Sequence, residues 1–160
     1  MIKAIKIIIL ALLLSQVTFS QISEKAIGIN LIAGTIMGME VCYQDKITDR
    51  GLADIKLGYG KMNTTVNLRA SANYDFIIPY EADLNFYIGP GITAGYYYGI
   101  NNAEFETSYS GAILNLTANI GAEYYFQIPL KVAFVIKPEA SLIRKSEQLT
   151  GQLLFSYCFH

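Results

Sequence analysis

The sequence contains no tryptophan, one histidine, two cysteines and only 4 prolines in 160 residues. Its charged fraction is 16%, well below the roughly 25% of an average soluble domain. Each shortage removes a class of function. One histidine and two distant cysteines, Cys42 and Cys158, do not make a ligand set for a metal. The histidine, His160, is the last residue, and Ser156 shares its face in an extended strand. A serine nucleophile needs a base held in place by a third group, and a terminal histidine is poorly held. No catalytic, cofactor-binding or metal-binding residue is therefore assigned, and no cofactor is expected. A net charge of −1 leaves no basic footprint for nucleic acid. Gly58-Tyr59-Gly60 and Gly89-Pro90-Gly91 lie inside strand-like runs and open no helix, so they are not phosphate loops. After residue 20, no stretch approaches the roughly 20 apolar residues of a membrane-spanning helix.

What the sequence does contain is alternation. From Ala112 to Phe126 every second residue is apolar: Ala112, Leu114, Leu116, Ala118, Ile120, Ala122, Tyr124 and Phe126. Ile113, Asn115, Thr117, Asn119, Gly121, Glu123 and Tyr125 fall between them. A period of two is the pleat of a β-strand. Gln127-Ile128-Pro129 breaks the run, since proline has no amide to donate. A second run then carries Leu130, Val132, Phe134, Ile136, Pro138, Ala140 and Leu142 on its apolar face. Two such strands form a hairpin, which cannot hide so long an apolar face alone.

The same period recurs along the chain, over residues 26–35, 37–44, 53–60, 66–76, 84–98 and 149–159. Polar turns are expected at 45–51, 61–64, 101–110 and 144–148, with 101–110 the longest. That predicts about eight strands of roughly ten residues, enough for a tilted strand to cross a bilayer. Residues 1–20 differ: Lys3 and Lys6 precede the apolar run IIILALLL, and a small and polar segment follows. This is the layout of a secretory signal peptide. The expected organisation is a signal peptide over 1–20 and one barrel domain over 21–160.

Two architectures share the pattern. In a soluble periplasmic lipocalin-like barrel the apolar face points inward around an apolar ligand. In a transmembrane barrel it points outward into lipid. The polar face carries Asn, Thr, Ser and Gly with few charges, whereas a soluble exterior is dense in Lys and Glu. Small polar residues suit a crowded interior. Aromatic residues gather at strand ends: Tyr43, Tyr74, Phe76, Phe86, Tyr124, Phe126, Tyr157 and Phe159 near one rim, Tyr59, Tyr96 and Tyr98 near the other. Paired aromatic girdles at headgroup level have this form. The expected fold is all-β, an eight-stranded antiparallel up-and-down transmembrane β-barrel. Its inward face would hold Glu40, Asp54, Asp75, Glu123 and Glu139 with Lys56, Arg69, Lys131 and Lys137. An interior of this size is filled by side chains, so these groups are expected to plug the lumen and leave no general pore.

The segments FYIGPGITAGYYYG and IGAEYYFQIPLKVAFVIKPEASL resemble the small outer-membrane β-barrel family of Gram-negative bacteria, of the OmpX and OmpA type. The matching positions are Gly89 and Gly91, then Gly121, Glu123, Tyr124 and Phe126, then Pro129, Lys137 and Pro138. The resemblance implies a place in the cell outer membrane, with outer-membrane lipid as the surrounding partner and a structural or surface-interaction role. The loop over 101–110 would be the contact for an unknown surface ligand. The last strand, alternating and ending near an aromatic, resembles the signal read by the barrel-assembly machinery. It departs from that signal in that His160 follows Phe159.

An even cysteine count in a secreted chain invites a disulfide. Cys42 and Cys158 both face inward, with the first strand between them. Two strand spacings put their Cα atoms about 9–10 Å apart, beyond the roughly 7 Å a disulfide spans. Two free, buried thiols are expected.

Overall fold

The computed structural model describes residues 25–101, 107–144 and 146–159. The segment read as a signal peptide and His160 lie outside these residues. The strands are β1 (Lys25–Gly34), β2 (Met37–Thr48), β3 (Gly51–Met62), β4 (Thr65–Pro79), β5 (Leu84–Asn101), β6 (Thr107–Tyr125), β7 (Leu130–Ser141) and β8 (Glu147–Phe159). Each pairs antiparallel with the next, and β8 closes on β1 in an up-and-down barrel. No open edge remains. The described chain begins and ends at one rim, where Lys25 pairs with Phe159. That rim also carries the β2–β3, β4–β5 and β6–β7 connections, and we call it the turn end. The other rim is the loop end.

Local chemistry explains where strands stop. At the loop end, Asn63 takes a left-handed φ of 54° in the two-residue β3–β4 turn, a conformation asparagine tolerates better than most residues. Pro79 closes β4 and Pro129 precedes β7. Two other prolines lie inside strands. The β4–β5 register passes over Tyr74 and Asp75, opposite Gly89 and Pro90. The β6–β7 register passes over Ala118 and Asn119, opposite Lys137 and Pro138. A proline has no N–H for the ladder.

Several strands run further than the sequence pattern indicated. The polar turn expected at 45–51 is reduced to Asp49 and Arg50, because β2 continues to Thr48 with a register shift between Lys46 and Thr48. At a barrel rim the backbone can keep pairing while charged side chains reach water, and a bulge absorbs the odd residue. For the same reason β8 starts at Glu147, inside the expected charged loop. β5 and β6 invade both sides of the loop expected at 101–110, pairing as far as Asn101 with Thr107. Residues 102–106 of that loop lie outside the described ones.

The faces are decided by packing. Ile27, Val41, Leu57, Leu68, Ile88, Leu116, Ile120, Phe134 and Phe155 all point outward and are exposed. Asn30, Glu40, Lys56, Arg69, Asn73, Asn119 and Lys137 point inward and are buried. The lipocalin-like arrangement would have required the reverse. Toward the turn end the interior also holds a small apolar cluster of Cys42, Tyr87, Ala133, Val135 and Leu154.

Both cysteines are buried thiols that form no disulfide. Strand β1 lies between them, with Gly28 opposite Cys42 and Ala26 opposite Cys158. Denatured, unreduced protein should therefore take two alkyl labels per chain by mass spectrometry. A monomeric chain that takes none before reduction would contradict this register.

Candidate functional site

All nine charged residues assigned to the inward face lie there, and all are buried. Arg69 on β4 stands at the centre of their arrangement. Its guanidinium pairs with Glu139 of β7, and its Nε lies 3.3 Å from Glu40 Oε1 of β2. Asn30 of β1 donates to Glu40 at 2.9 Å and to Gln152 of β8 at 3.0 Å. Lys56 of β3 donates to the same Gln152 oxygen at 3.2 Å and pairs with Asp54 at 2.9 Å. Asn115 of β6 donates to Glu139 at 2.9 Å. Lys137 lies 4.0 Å from Glu139 and donates to Ser71 at 3.1 Å and to Thr93 of β5 at 3.3 Å. Every strand of the barrel contributes to this one connected network.

A second cluster lies nearer the turn end. Lys131 donates to Glu123 at 2.9 Å, and the Tyr125 hydroxyl donates to the other Glu123 oxygen at 3.1 Å. Asp75 accepts from Asn119 at 3.0 Å and pairs with no cation among the described residues. Five acids and four bases leave one acid over, and Asp75 is that acid. Buried charges of this kind persist where they are paired and hydrogen-bonded.

Above the Arg69 layer the loop end opens into a cup of about 350 Å³. Tyr97 and Tyr109 form one wall, with ring centroids 6.3 Å apart and planes at 48°. The two rings occupy mirrored positions on the β5–β6 ladder: Tyr97 lies opposite Gly111 and Gly99 opposite Tyr109. A Cβ on Gly111 would stand 2.3 Å from the Tyr97 hydroxyl, and one on Gly99 would stand 2.4 Å from the Tyr109 ring. Only glycine leaves room for these rings against the barrel wall. The Tyr109 hydroxyl is 2.6 Å from Thr65 Oγ1. At the rim, the Arg144 guanidinium lies 4.2 Å from the centre of the Tyr97 ring, a cation–π contact.

The sequence reading located the inward charges but not this cup. Tyr97 was only one member of an alternating face, and Tyr109 fell inside an expected loop. A usable signal was present: Tyr97-Tyr98-Gly99 and Tyr109-Ser110-Gly111 are two Tyr-x-Gly triplets on adjoining strands. Antiparallel pairing sets each tyrosine across from the other triplet's glycine. Ser156, weighed as a nucleophile, is buried within the barrel. Among the described residues no group of three or more His, Cys, Asp or Glu is placed to hold a metal ion.

The network generates a stability prediction. Replacing Arg69 with Met leaves the buried Glu40 with no salt-bridge partner among the described residues and Glu139 with only Lys137, 4.0 Å away, which should destabilise the barrel by about 3–5 kcal/mol. Adding Glu40→Gln and Glu139→Gln to that variant should restore most of the loss. Urea titration in lipid vesicles measures both. Equal stability of the single and triple variants would show that the charges are not coupled.

No protein-family model matches the chain, and no curated protein matches it in sequence. Solved structures do. The N-terminal β-barrel domain of Pseudomonas aeruginosa OprF superposes with a TM-score of 0.70 at 13% identity, over 86% of this chain and 98% of that one. Ail, the attachment invasion locus protein of Yersinia pestis, superposes with a TM-score of 0.59 at 11% identity, over 86% of this chain and 97% of that one. The chain shares the eight-stranded up-and-down barrel fold of these proteins.

Proposed function

We propose that the chain is an integral outer-membrane β-barrel protein of a Gram-negative cell, with a structural or surface-interaction role and a lumen closed by its own side chains. One observation carries this reading: the barrel is inverted relative to a water-soluble protein. Leu68 is 63% exposed and Phe134 54%, while the side chains of Lys56 and Lys137 are wholly buried. An unbroken belt of exposed Leu, Ile and Phe around a closed sheet is suited to lipid.

The aromatic residues support a specific depth. At the turn end Tyr74 and Phe76, Tyr80 and Phe86, and Tyr124 and Phe126 form edge-to-face pairs with centroids 5.0, 5.6 and 5.1 Å apart. At the loop end Tyr59, Tyr96 and Tyr98 are exposed, and the Tyr96 hydroxyl donates to Ser110 at 2.6 Å. Rings facing the belt with hydroxyls toward polar groups suit the membrane–water interface. In this orientation the turn end faces the periplasm and the loop end faces outward. The partners follow: lipid around the belt, the barrel-assembly machinery at strand β8, and a surface ligand at the loop end. The likeness to a protein titled as an attachment invasion locus product fits a surface role. A non-enzymatic reading is favoured by the inward cations, since Lys56, Arg69, Lys131 and Lys137 are each held by a carboxylate.

Two measurements test the proposal. Arginine at Leu116 or Ile120 should cost about 2–4 kcal/mol in vesicle unfolding, and arginine at Phe126 or Tyr98 only about 0–1 kcal/mol. Equal tolerance at both depths would remove the lipid-facing assignment. Purified protein in planar bilayers should show no steady ion conductance, since an eight-stranded interior is filled by side chains. Stable ohmic channels would overturn the closed lumen.

A further inference from the structure

We infer that a groove on the outer wall, where β6 meets β7 below the loop end, binds a membrane lipid whose acyl chain carries a hydroxyl close to its headgroup. The hydroxyl donates to the backbone carbonyl of Ala118. This rests on the proposal that the wall faces lipid, and it singles out one lipid chemistry among those the wall meets.

Strand register identifies the carbonyl. Leu116 pairs with Ala140 and Ile120 with Ile136, so Ala118 stands across from Pro138. Residues along an antiparallel strand turn their N–H and C=O groups to one neighbour and then the other in alternation. The Leu142 N–H donates to the Leu114 carbonyl at 2.8 Å, which directs the even-numbered carbonyls of β6 toward β7. The Ala118 carbonyl therefore points at Pro138, which has no N–H to give. A backbone group left without a partner in hydrocarbon is costly. A donor carried by a lipid meets that need.

A groove of about 610 Å³ lies at the same place. Leu116 and Leu149 form its exposed walls, and Ala118, Pro138 and Ala140 lie between them. These short side chains leave the sheet backbone within reach of a guest. The apolar walls suit an acyl chain. Glu147 lines the groove at the rim, is exposed, and forms no salt bridge among the described residues. Its carboxylate repels a phosphate and accepts hydrogen bonds from a hydroxylated headgroup.

Depth selects where the chain must carry its donor. Glu147 pairs with Ala140, and Leu149 with Pro138. The Pro138 row thus lies two residues, about 7 Å along the strand, below the rim carboxylate. A headgroup at Glu147 sets the first few carbons of its chain beside the Ala118 carbonyl. A hydroxyl there is a donor. An unsubstituted chain brings none, and an amide brings a second carbonyl to a place where Pro138 offers no N–H.

Full-length mature protein in phosphatidylcholine nanodiscs is titrated with the monoglyceride of β-hydroxymyristate or of myristate, neither of which carries a phosphate. The NMR shift of an isotope-labelled Ala118 carbonyl reports binding. The hydroxylated lipid should bind roughly two- to tenfold more tightly, the worth of one hydrogen bond, and should move the carbonyl signal in the direction of hydrogen bonding. Pro138→Ala returns an N–H opposite Ala118 and should erase the preference, with the heat-dependent gel shift reporting that the barrel is folded. Ala118→Leu fills the groove and should weaken both lipids. Equal affinity of the two lipids for the native protein, a preference that survives Pro138→Ala, or lipid binding indifferent to Ala118→Leu would each overturn the site.

The lipid-facing reading fails on a different result. In the same nanodiscs the Leu116 methyl signals should be broadened by dissolved oxygen and spared by a water-soluble gadolinium chelate. Broadening by the chelate overturns the lipid-facing wall and the site with it. Broadening by oxygen together with equal affinities overturns the site alone.

Discussion

The structure depends on one constraint: a closed eight-stranded barrel has no room for charged side chains to escape to water, so they must answer one another. Arg69 between Glu40 and Glu139 is the central case. Those three residues come from β4, β2 and β7, which are not neighbours in the sheet. Their contacts run across the barrel and not along its wall. Backbone ladders tie each strand only to the next, whereas this network ties strands across the interior. It also fixes register. Sliding any strand by one residue would turn its inward charges to the lipid side and its leucines inward.

How much of this was legible in the sequence follows from periodicity. Alternation gives the face of each residue without reference to any partner, so all nine charges could be placed inside. It cannot give the partner across the barrel, because that depends on strand tilt and stagger. Lys131 and Glu123 share a hairpin and are close in sequence, so their pairing follows from the turn. Arg69 and Glu139 are separated by 70 positions, and nothing local connects them. Strand ends were misjudged for a related reason. Charges in 45–50 read as a turn, yet at the rim a strand can carry charges outward into water and continue pairing.

The cup shows a different limit. A cavity exists where side chains stop short, and composition along one strand does not reveal that. Tyr97 and Tyr109 acquire meaning only when β5 and β6 are brought into register and each ring finds a glycine across the ladder. Arg144 joins them from the β7–β8 connection by stacking on Tyr97. A pattern with a period of two describes walls well. It does not describe what the walls enclose.

The prolines inside β5 and β7 have a mechanical consequence. Pairing between β5 and β6 is continuous from Leu84 with Tyr124 to Asn101 with Thr107. On both outer sides of that hairpin the ladder is interrupted, at Tyr74 and Asp75 on β4 and at Ala118 and Asn119 facing β7. Pro90 and Pro138 lie in one row with Ala118 between them. The longest hairpin of the barrel is thus a stiff panel set between two scored seams. A lateral load on the wall would concentrate at those seams, and the panel would part from its neighbours before its own two strands separated.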